Sequence, residues 1–370
     1  MKKKLLYLMH VPWGVMRHRP NFIAENLSKA FDVTVCSAKR YRDRRMFQNV
    51  TEEQLELRQL FVLPFGRLWL VSRMNELLVK LQLVRAIAKA DIIWVTHPVM
   101  YATIKNVISA DIKLVYDCMD DALEFPNVRA DEVLKSKLFV LEKSLVRRCD
   151  AVIVSSDYLR EKLIQRYGGK INSYVVNNAV TIPTFDQSQD GDDVLKFEAL
   201  MDSLNGKKFL YIGSISEWMD FDLILKSLER LHDITYVFVG LGDVPIPYHD
   251  RIIFFGPLEH RYIFRAMKKA DALIMPFYVN ELIKSVNPVK VYEYIYSCKP
   301  AIVVNYSETK RFEDFVHLYS TAEEYLEKIE ALSAGRLTLK KDEKEYLGFV
   351  AENTWRARAE KIICVLNSLE

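Results

Sequence analysis

Short apolar runs alternate with helical patterns along most of this chain, and this alternation restricts its possible folds more than any other feature. Parallel strands that are covered on both faces are typically continuous apolar runs, and the helices between them have a longer period. The strands predicted in the first half are residues 5–9, 33–36, 59–63, 92–96, 113–116, 151–154 and 174–176. Those predicted in the second half are residues 209–212, 235–239, 252–255, 272–275 and 301–304. The pattern predicts an α/β protein with parallel sheets.

The alternation stops between residues 181 and 206, where Pro183, Gly191 and a run of acidic and polar residues interrupt it. We interpret this segment as a linker between a first domain, residues 1–180, and a second, residues 207–345. Residues 346–370 form a last helical segment with no strand after it. A chain of 370 residues is too long for one ordinary core and suits two domains.

Composition narrows the class of protein. A net charge of +3 is too small to favour a nucleic-acid partner. The five cysteines are scattered, which indicates reduced thiols in the cytoplasm, and no Cys or His cluster suggests a metal site. The first apolar run is too short for a signal peptide, and no uncharged stretch of about 18 apolar residues suggests a membrane span. We therefore expect a cytoplasmic enzyme or binding protein.

The segment NPVKVYEY, residues 287–294, follows a predicted strand and is typical of a helix start. Asn287 suits the N-cap and Pro288 the first helical position, which puts Lys290 at the third. A cation there opposes the helix macrodipole, whereas a bound phosphate would be favoured by the free N–H groups and by the lysine. Glu293 lies on the same face and could accept hydrogen bonds from ribose hydroxyls. A simple surface Lys–Glu pair is the alternative.

Three carboxylates, Asp117, Asp120 and Asp121, lie within five residues after the strand at 113–116. Crowded carboxylates repel one another, so we expect at least one to have a raised pKa, as a general base requires. Capping of the next helix would explain one aspartate but not three. His97 follows the strand at 92–96 and is a further catalytic candidate, with a structural hydrogen bond as the alternative.

Two other loops after strands have residues suited to ligands. Gly213 and Ser214 follow the strand at 209–212, where a glycine lets a ligand approach the backbone closely. The loop after the first strand contains His10, Trp13 and several arginines, which fits a polar or anionic acceptor. The GLGD at residues 240–243 closes a strand and lacks the third glycine of a dinucleotide fingerprint, so a dehydrogenase is disfavoured.

The second half resembles the nucleotide-binding domain of GT-B glycosyltransferases. YIGSISEWMDFDLI is similar to the family's first strand, glycine loop and helix, and RIIFFGPLEHRYIFRAMKKADALIMPF to its strand, base-binding loop, helix and strand. NPVKVYEYIYSCKPAIV resembles the P-x-K-x-x-E-Y…G-K-P-V-V signature. VVNNAV resembles the family's domain boundary, and Trp355 lies in the terminal helix. The resemblance implies two Rossmann-like, doubly wound parallel-sheet domains that face each other across a cleft, with the last helix crossing back to the first domain.

The resemblance also implies roles for individual residues. Lys290 would contact the diphosphate of a nucleotide-sugar and Glu293 its ribose. The other nucleotide contacts would come from Gly213, Ser214, Ile215, Leu258 and Val289. The run KLVYDCMDDAL is similar to one in bacterial glucuronosyltransferases of exopolysaccharide assembly, whose catalytic-base aspartate aligns with Asp120.

The implied reaction is hexosyl or uronosyl transfer from a nucleoside-diphosphate sugar, with UDP as the favoured nucleotide, to an acceptor hydroxyl. Asp120 would be the base, with Asp117 and His97 as further catalytic candidates. Neither a metal nor another cofactor is implied, because Lys290 and the helix start would stabilise the leaving diphosphate.

A basic amphipathic segment suggests where the acceptor lies. Residues 65–89 combine Leu, Val and Trp with Arg and Lys and contain almost no acid, and residues 40–45 add cations. Such a surface can bind anionic lipid, although a core helix with a solvated basic face is the alternative. We therefore expect a glycan or lipid-linked acceptor of cell-surface polysaccharide assembly (capsule, exopolysaccharide or lipopolysaccharide) at the inner face of the membrane.

Two other functions stay open from the sequence alone. A sugar-nucleotide epimerase of the same fold would act without an acceptor. A non-catalytic sugar-nucleotide or glycan-binding subunit would bind the nucleotide without turnover.

Overall fold

The computed structural model describes residues 2–14, 17–39, 55–65, 68–182 and 191–369. These residues form two compact units. The N-terminal unit runs to Asn178 and includes the last part of the chain from Trp355 onwards, and the C-terminal unit is Ala179–Thr354. Each unit has its own parallel sheet and its own hydrophobic core. The predicted pair of Rossmann-like parallel-sheet domains is therefore confirmed.

The N-terminal unit has a sheet of seven parallel strands. They are β1 Lys4–Met9, β2 Asp32–Lys39, β3 Glu56–Phe61, β4 Ile92–Val95, β5 Lys113–Cys118, β6 Ala151–Val154 and β7 Ser173–Val175. Their order across the sheet is β3-β2-β1-β4-β5-β6-β7. The apolar runs of β1, β4, β5 and β6 are buried almost throughout because these strands lie inside the sheet.

Helices connect these strands. They are α1 Arg19–Leu27, α2 Trp69–Ile87, α3 Pro98–Ile104, α4 Pro126–Arg129, α5 Glu132–Arg148 and α6 Asp157–Tyr167. The side chains of Asp131 and Ser156 cap α5 and α6 by accepting hydrogen bonds from amides of the first turn. In the part of the chain that the structure describes, no helix is both long and apolar enough to cross a membrane.

The C-terminal unit has a second parallel sheet, of six strands. They are β8 Lys207–Ile212, β9 Ile234–Val239, β10 Ile252–Gly256, β11 Ala272–Met275, β12 Ala301–Val304 and β13 His317–Tyr319. Their order is β10-β9-β8-β11-β12-β13. The helices are α7 Asp192–Ser203, α8 Phe221–Arg230, α9 Ile263–Lys268, α10 Glu281–Ser285, α11 Val289–Tyr296, α12 Ser307–Lys310, α13 Ala322–Ser333 and α14 Glu343–Glu352.

The last helix, α15 Trp355–Asn367, belongs to the N-terminal unit. It packs on α1, where the ring of Trp355 stacks on that of Phe22 with 5.2 Å between centroids. The side chain of Arg358 donates hydrogen bonds to the carbonyl oxygens of Asn177 (3.1 Å) and Asn178 (3.3 Å). The end of the chain therefore packs on the unit in which the chain begins.

The segment predicted as a linker, residues 181–206, differs from that expectation. Residues 183–190 lie outside the described part, but α7 occupies most of the rest. Its Phe197 and Met201 are buried in the core of the C-terminal unit, so this helix is part of a domain. The last segment also begins later than residue 346, because α14 buries Tyr346 and Val350 in the same C-terminal core.

Candidate functional site

Each sheet has a point where the order of its strands reverses, and ligands of open α/β sheets bind at the carboxyl ends of the strands beside that point. In the N-terminal unit the reversal lies between β1 and β4, which are followed by His10 and His97. In the C-terminal unit it lies between β8 and β11, which are followed by Gly213 and Phe277. Most of the residues chosen from the sequence lie close to one of these two places.

In the C-terminal unit, two glycines bring the loop after β8 against the end of β9. Gly213 has φ +143° and Gly240 has φ +147°, values that disfavour any other residue. A Cβ atom on Gly240 would lie 2.0 Å from the carbonyl oxygen of Gly213. The GLGD segment, dismissed as a dinucleotide fingerprint, therefore has a structural purpose: it lets the Gly213 loop lie close to β9.

The ammonium of Lys290 lies directly over this loop. Its Nζ donates a hydrogen bond to the hydroxyl of Tyr211 (2.6 Å), and that hydroxyl donates to the carbonyl oxygen of Ser214 (2.6 Å). The same Nζ lies 4.2 Å from the ring centroid of Tyr211 and 4.7 Å from that of Phe277. A Cβ atom on Gly213 would approach it to 2.8 Å. The structure thus brings the lysine, the glycine loop and the start of α11 together.

The ammonium of Lys290 is buried and has no ion-pair partner among the described residues. Burial lowers its pKa to about 7, and no carboxylate of the described residues lies within ion-pair distance of it. The amides of Val289 and Lys290 are the first two of α11 and donate no hydrogen bond within the described residues. Free helix N–H groups and a lysine without a counter-ion form a site suited to phosphate.

Glu293 lies further along α11 and is linked to the loop after β10. Its Oε1 lies 3.1 Å from Nε2 of His260, and its side chain is largely buried. His260 follows the loop of Leu258, which packs partly against the core. The predicted ribose residue and the predicted base-binding loop are therefore joined by a histidine that the sequence reading overlooked.

Two predictions about this unit need correction. Pro288, not Asn287, is the N-cap of α11, so Lys290 is the second helical residue instead of the third. The Asn287 side chain is buried, where it donates to Glu308 and accepts from the hydroxyl of Tyr292.

The other correction concerns Ile215. It is fully buried, and its amide and carbonyl are bonded to Leu241 and Asp243. Ser214 is the exposed member of this loop, so a ligand would meet Ser214 instead of Ile215.

In the N-terminal unit, Asp117 is not accessible to a substrate. It lies at the end of β5, fully buried, and its Oδ1 accepts a hydrogen bond from Nε of Arg19 (3.0 Å) and forms an ion pair with Nη2 of the same residue (2.9 Å). Burial raises the pKa of Asp117, and Arg19 opposes this rise. Arg19 also donates to the carbonyl oxygen of Val176 (2.7 Å). The proposed catalytic role of Asp117 is therefore replaced by a structural one, which holds α1 to the sheet.

Asp121 is also held in a buried network. Its carboxylate pairs with Arg166 and with Lys162, and Arg166 lowers its pKa against the effect of burial. Arg166 also reaches Glu142, which accepts a hydrogen bond from Tyr116 (2.7 Å). This network anchors both sides of the loop that carries Asp120.

Asp120 alone among the three carboxylates remains available. It is partly exposed, and none of the ion pairs among the described residues includes it. Removal from water raises its pKa to about 6, with further contributions from Asp117 and Asp121 and opposition from Arg19. The pKa of Asp120 thus rises enough for general-base chemistry, as crowding led us to expect, although burial is the larger cause.

His97 and His10 meet at the strand reversal of this unit. Their ring centroids are 4.9 Å apart. His97 caps α3, with its Nδ1 accepting a hydrogen bond from the amide of Val99 (3.2 Å), so one of its ring nitrogens has a structural role. Burial lowers the pKa of His10 to about 3 and that of His97 to about 4. Both rings are therefore neutral at the pH of a cell.

Sequence reasoning missed several residues of both units. Tyr211 and Phe277 hold Lys290, His260 bonds Glu293, and Arg19 neutralises Asp117. Only His260 had a local signal, since it follows the predicted base-binding loop. The other contacts join residues on different strands and depend on the strand order.

Comparisons with known proteins agree with this architecture. The family described as Glycosyltransferase Family 4 matches residues 22–182, which lie almost wholly in the N-terminal unit. TuaH of Bacillus subtilis (strain 168), assigned as a glycosyltransferase of teichuronic acid biosynthesis, is 24% identical over 326 residues, 81% of this chain and 80% of its own.

Solved structures share the fold at low identity. Sucrose-phosphate synthase from Thermosynechococcus elongatus has a TM-score of 0.72 at 14% identity and covers 100% of this chain and 99% of its own. HepE from Anabaena in complex with UDP-glucose has a TM-score of 0.70 at 13% identity and covers 99% of each chain. The matched domain, the curated relative and the fold lead to one conclusion: the chain is a glycosyltransferase of the GT-B fold.

Proposed function

We propose that this glycosyltransferase takes its sugar from a nucleoside diphosphate, with UDP as the nucleotide, bound by the C-terminal unit. The observation that carries the proposal is the setting of Lys290: a largely desolvated ammonium without a carboxylate partner, beside a glycine loop and unbonded helix amides. The diphosphate would bind Lys290, the amides of Val289 and Lys290, and Ser214. Glu293 would accept the ribose hydroxyls. A fold neighbour, HepE, has been solved with UDP-glucose, which supports the choice of UDP.

The reaction would be an inverting transfer with Asp120 as general base. A carboxylate with a pKa of about 6 is ionised at neutral pH and still basic enough to take a proton from a hydroxyl as it attacks. The anomeric carbon would form a bond to that oxygen as its bond to the diphosphate breaks. The negative charge would pass to the diphosphate, where Lys290 and the start of α11 stabilise it, so these residues need no metal ion for this step.

The donor site is tested by thermal unfolding with UDP, GDP, ADP, TDP and CMP. A ligand that binds only the folded state raises the melting temperature. We expect UDP to raise the melting temperature of the wild type but not that of Lys290→Ala. Lys284 is an exposed lysine of α10, and Lys284→Ala should respond to UDP as the wild type does. If no nucleotide stabilises the protein, or if Lys290→Ala responds equally, the proposed donor site is wrong.

The base is tested by the pH dependence of transfer once a donor is known. Because the base must be ionised, kcat/KM should fall about tenfold per pH unit below an apparent pKa of about 6. Asp120→Asn should lose most of the activity and retain UDP binding. Normal turnover in Asp120→Asn, or retention of the anomeric configuration in the product, would refute the base assignment.

We infer that the acceptor is lipid-linked and belongs to cell-surface glycan assembly. TuaH is assigned to teichuronic acid biosynthesis, and α2 supplies a surface suited to a membrane. Five apolar residues of α2 at spacings of four and three residues are between 44% and 66% exposed. They are Leu70, Met74, Leu77, Leu81 and Val84, here called the α2 stripe. Residues 40–45, the other cationic segment in the prediction, lie outside the described part.

Two phenylalanines extend the α2 stripe. The segment after β3 is fastened to α2 by side-chain bonds, Gln82 to the backbone of Phe61 and Asn75 to that of Leu63. Phe61 and Phe65 on this segment are 59% and 77% exposed. Exposed apolar side chains in this number favour an interaction surface.

The charges beside the α2 stripe favour an anionic bilayer over a second copy of the chain. The spacing of the α2 stripe would suit pairing with another helix. However, Arg73, Lys80 and Arg85 flank the stripe, and in a symmetric pair of α2 helices these cations would repel those of the other copy. Glu76 is the only acid of α2. Basic residues beside exposed apolar ones bind anionic headgroups while the apolar side chains insert.

Vesicle sedimentation tests the membrane surface. We expect binding to vesicles that contain phosphatidylglycerol, little binding to pure phosphatidylcholine, and weakening by salt. The double variant Leu77→Glu, Leu81→Glu should not bind, whereas Leu195→Glu, an exposed leucine of α7, should bind normally. Absence of binding at low salt refutes the surface, and a dimer that this double variant disrupts would assign it to a second copy.

A further inference from the structure

We propose that His10 and His97 form a donor–acceptor pair that binds one hydroxyl group of the sugar acceptor in the N-terminal unit. The proposal rests on the proposed function for the presence of a sugar acceptor. It does not rest on the donor site or on Asp120, and it concerns residues of a single unit.

The hydrogen bonds of each ring determine where its proton lies. The hydroxyl of Thr96 lies within hydrogen-bond distance of the carbonyl oxygen of Leu8 (3.2 Å) and of Nδ1 of His10 (2.8 Å). The carbonyl oxygen can only accept, so we assign the hydroxyl proton to Leu8, and the Thr96 oxygen then accepts from Nδ1 of His10. Nδ1 of His10 therefore carries the proton and its Nε2 is an acceptor. The amide of His10 donates to the same Thr96 oxygen (3.1 Å), which fixes the loop behind the ring.

His97 has the opposite tautomer. Its Nδ1 accepts from the backbone amide of Val99 (3.2 Å) and therefore has no proton of its own. Since burial lowers the pKa of His97 to about 4, the ring is neutral and its single proton lies on Nε2. His97 thus presents a donor where His10 presents an acceptor.

The two rings lie close to each other. Their centroids are 4.9 Å apart and their planes are tilted by 34°. Within the described residues neither Nε2 atom forms a hydrogen bond. A hydroxyl is the group that both donates and accepts, so it satisfies the pair, whereas a cation or an anion would satisfy only half of it.

The position of the pair favours a substrate over a purely structural role. The pair stands at the strand reversal between β1 and β4, the place where open α/β sheets bind ligands, and β5 with Asp120 after it is the next strand. Each ring already has a structural bond through Nδ1, and that bond leaves Nε2 unused. Neutral rings also bind a neutral hydroxyl without the desolvation cost of a charge.

The tautomers can be read by long-range ¹H–¹⁵N NMR of ¹⁵N-histidine-labelled protein. The chain has seven histidines, so His10→Asn and His97→Asn are enough to assign the two rings. Asn at residue 10 retains a donor near Nδ1 for Thr96, and Asn at residue 97 retains a helix cap, so both variants should fold. We expect a neutral Nδ1–H ring for His10 and a neutral Nε2–H ring for His97 at pH 7. A charged ring or the reverse tautomer in either overturns the proposal.

Binding is tested on the same samples with a panel of methyl hexosides and hexuronosides as probes. At least one sugar should move the Nε2 signals of both rings and leave the exposed His232 unchanged. In transfer assays, His10→Asn should raise the acceptor KM about 3–10-fold, the loss of one neutral hydrogen bond, with the donor KM unchanged. His232→Asn is the matched control. The proposal fails if no sugar moves either ring, even if UDP still stabilises the C-terminal unit.

Discussion

At the scale of a single residue, the surroundings of Lys290 differ from those of an ordinary surface lysine. The sequence allowed a solvated Lys–Glu pair, but the ammonium lies on the faces of Tyr211 and Phe277 with no ion-paired carboxylate among the described residues. Its pKa falls to about 7 from 10.5 because burial disfavours the charged form. Burial of this ammonium therefore costs stability, as is common for buried charged groups at functional sites.

This cost predicts a pH dependence of folding. Between pH 7 and 10.5 the unfolded chain holds a proton on Lys290 that the folded chain has released. Stability should therefore rise with pH across this window. Lys290→Met should be more stable than the wild type at pH 7, and its advantage should shrink towards pH 10, as measured by urea unfolding. Lys284→Met should show no such advantage. A difference that is constant with pH would contradict the lowered pKa.

The aspartates show which part of the site the sequence could predict. Their crowding indicated a raised pKa, and Asp120 has one. The sequence could not predict which aspartates are held in ion pairs. Arg19 pairs with an aspartate 98 residues away, and Arg166 pairs with one 45 residues away. Such partners are known only once the strand order is known.

At the scale of elements, apolar runs located the strands well because a parallel strand covered on both faces must be apolar throughout. Every strand predicted from the sequence is present, with ends that differ by a few residues. β13 was missed because three residues with a partly polar pattern carry too little signal. α7 was missed because Gly191 and the acids around it indicated a linker, although Val194, Phe197 and Met201 have helical spacing.

The difference between a linker and a domain helix at α7 can be measured. Phe197 is fully buried and its ring lies 5.1 Å from that of Phe255, edge to face. Phe197→Ala should lower the free energy of unfolding of the C-terminal unit by about 3–5 kcal/mol, the usual effect of such a truncation in a core. Leu195→Ala, on the exposed side of α7, should change it by less than about 0.5 kcal/mol. If both substitutions changed the free energy of unfolding by the same small amount, α7 would be a linker and not part of the domain.

At the scale of the whole molecule, the N-terminal unit is built from two separate parts of the chain. The chain leaves the N-terminal unit after Asn178 and re-enters it at Trp355. The two cores share no residue, so a substitution in one core should act within its own unit. The return of the last helix to the first domain was predicted from a family resemblance alone. The sequence of residues 355–367 does not itself indicate which core α15 covers.

Trp355 provides the test of this arrangement. Its ring is buried on Phe22 of α1, 333 positions earlier in the numbering, while α14 just before it packs in the other unit. Trp355→Ala should therefore speed amide hydrogen exchange in α1 and α15 and leave β8 to β12 as protected as in the wild type. Tyr346→Ala, nine positions earlier, should produce the converse pattern, with exchange faster in the C-terminal unit. If both variants loosen the same unit, the chain does not divide at Trp355.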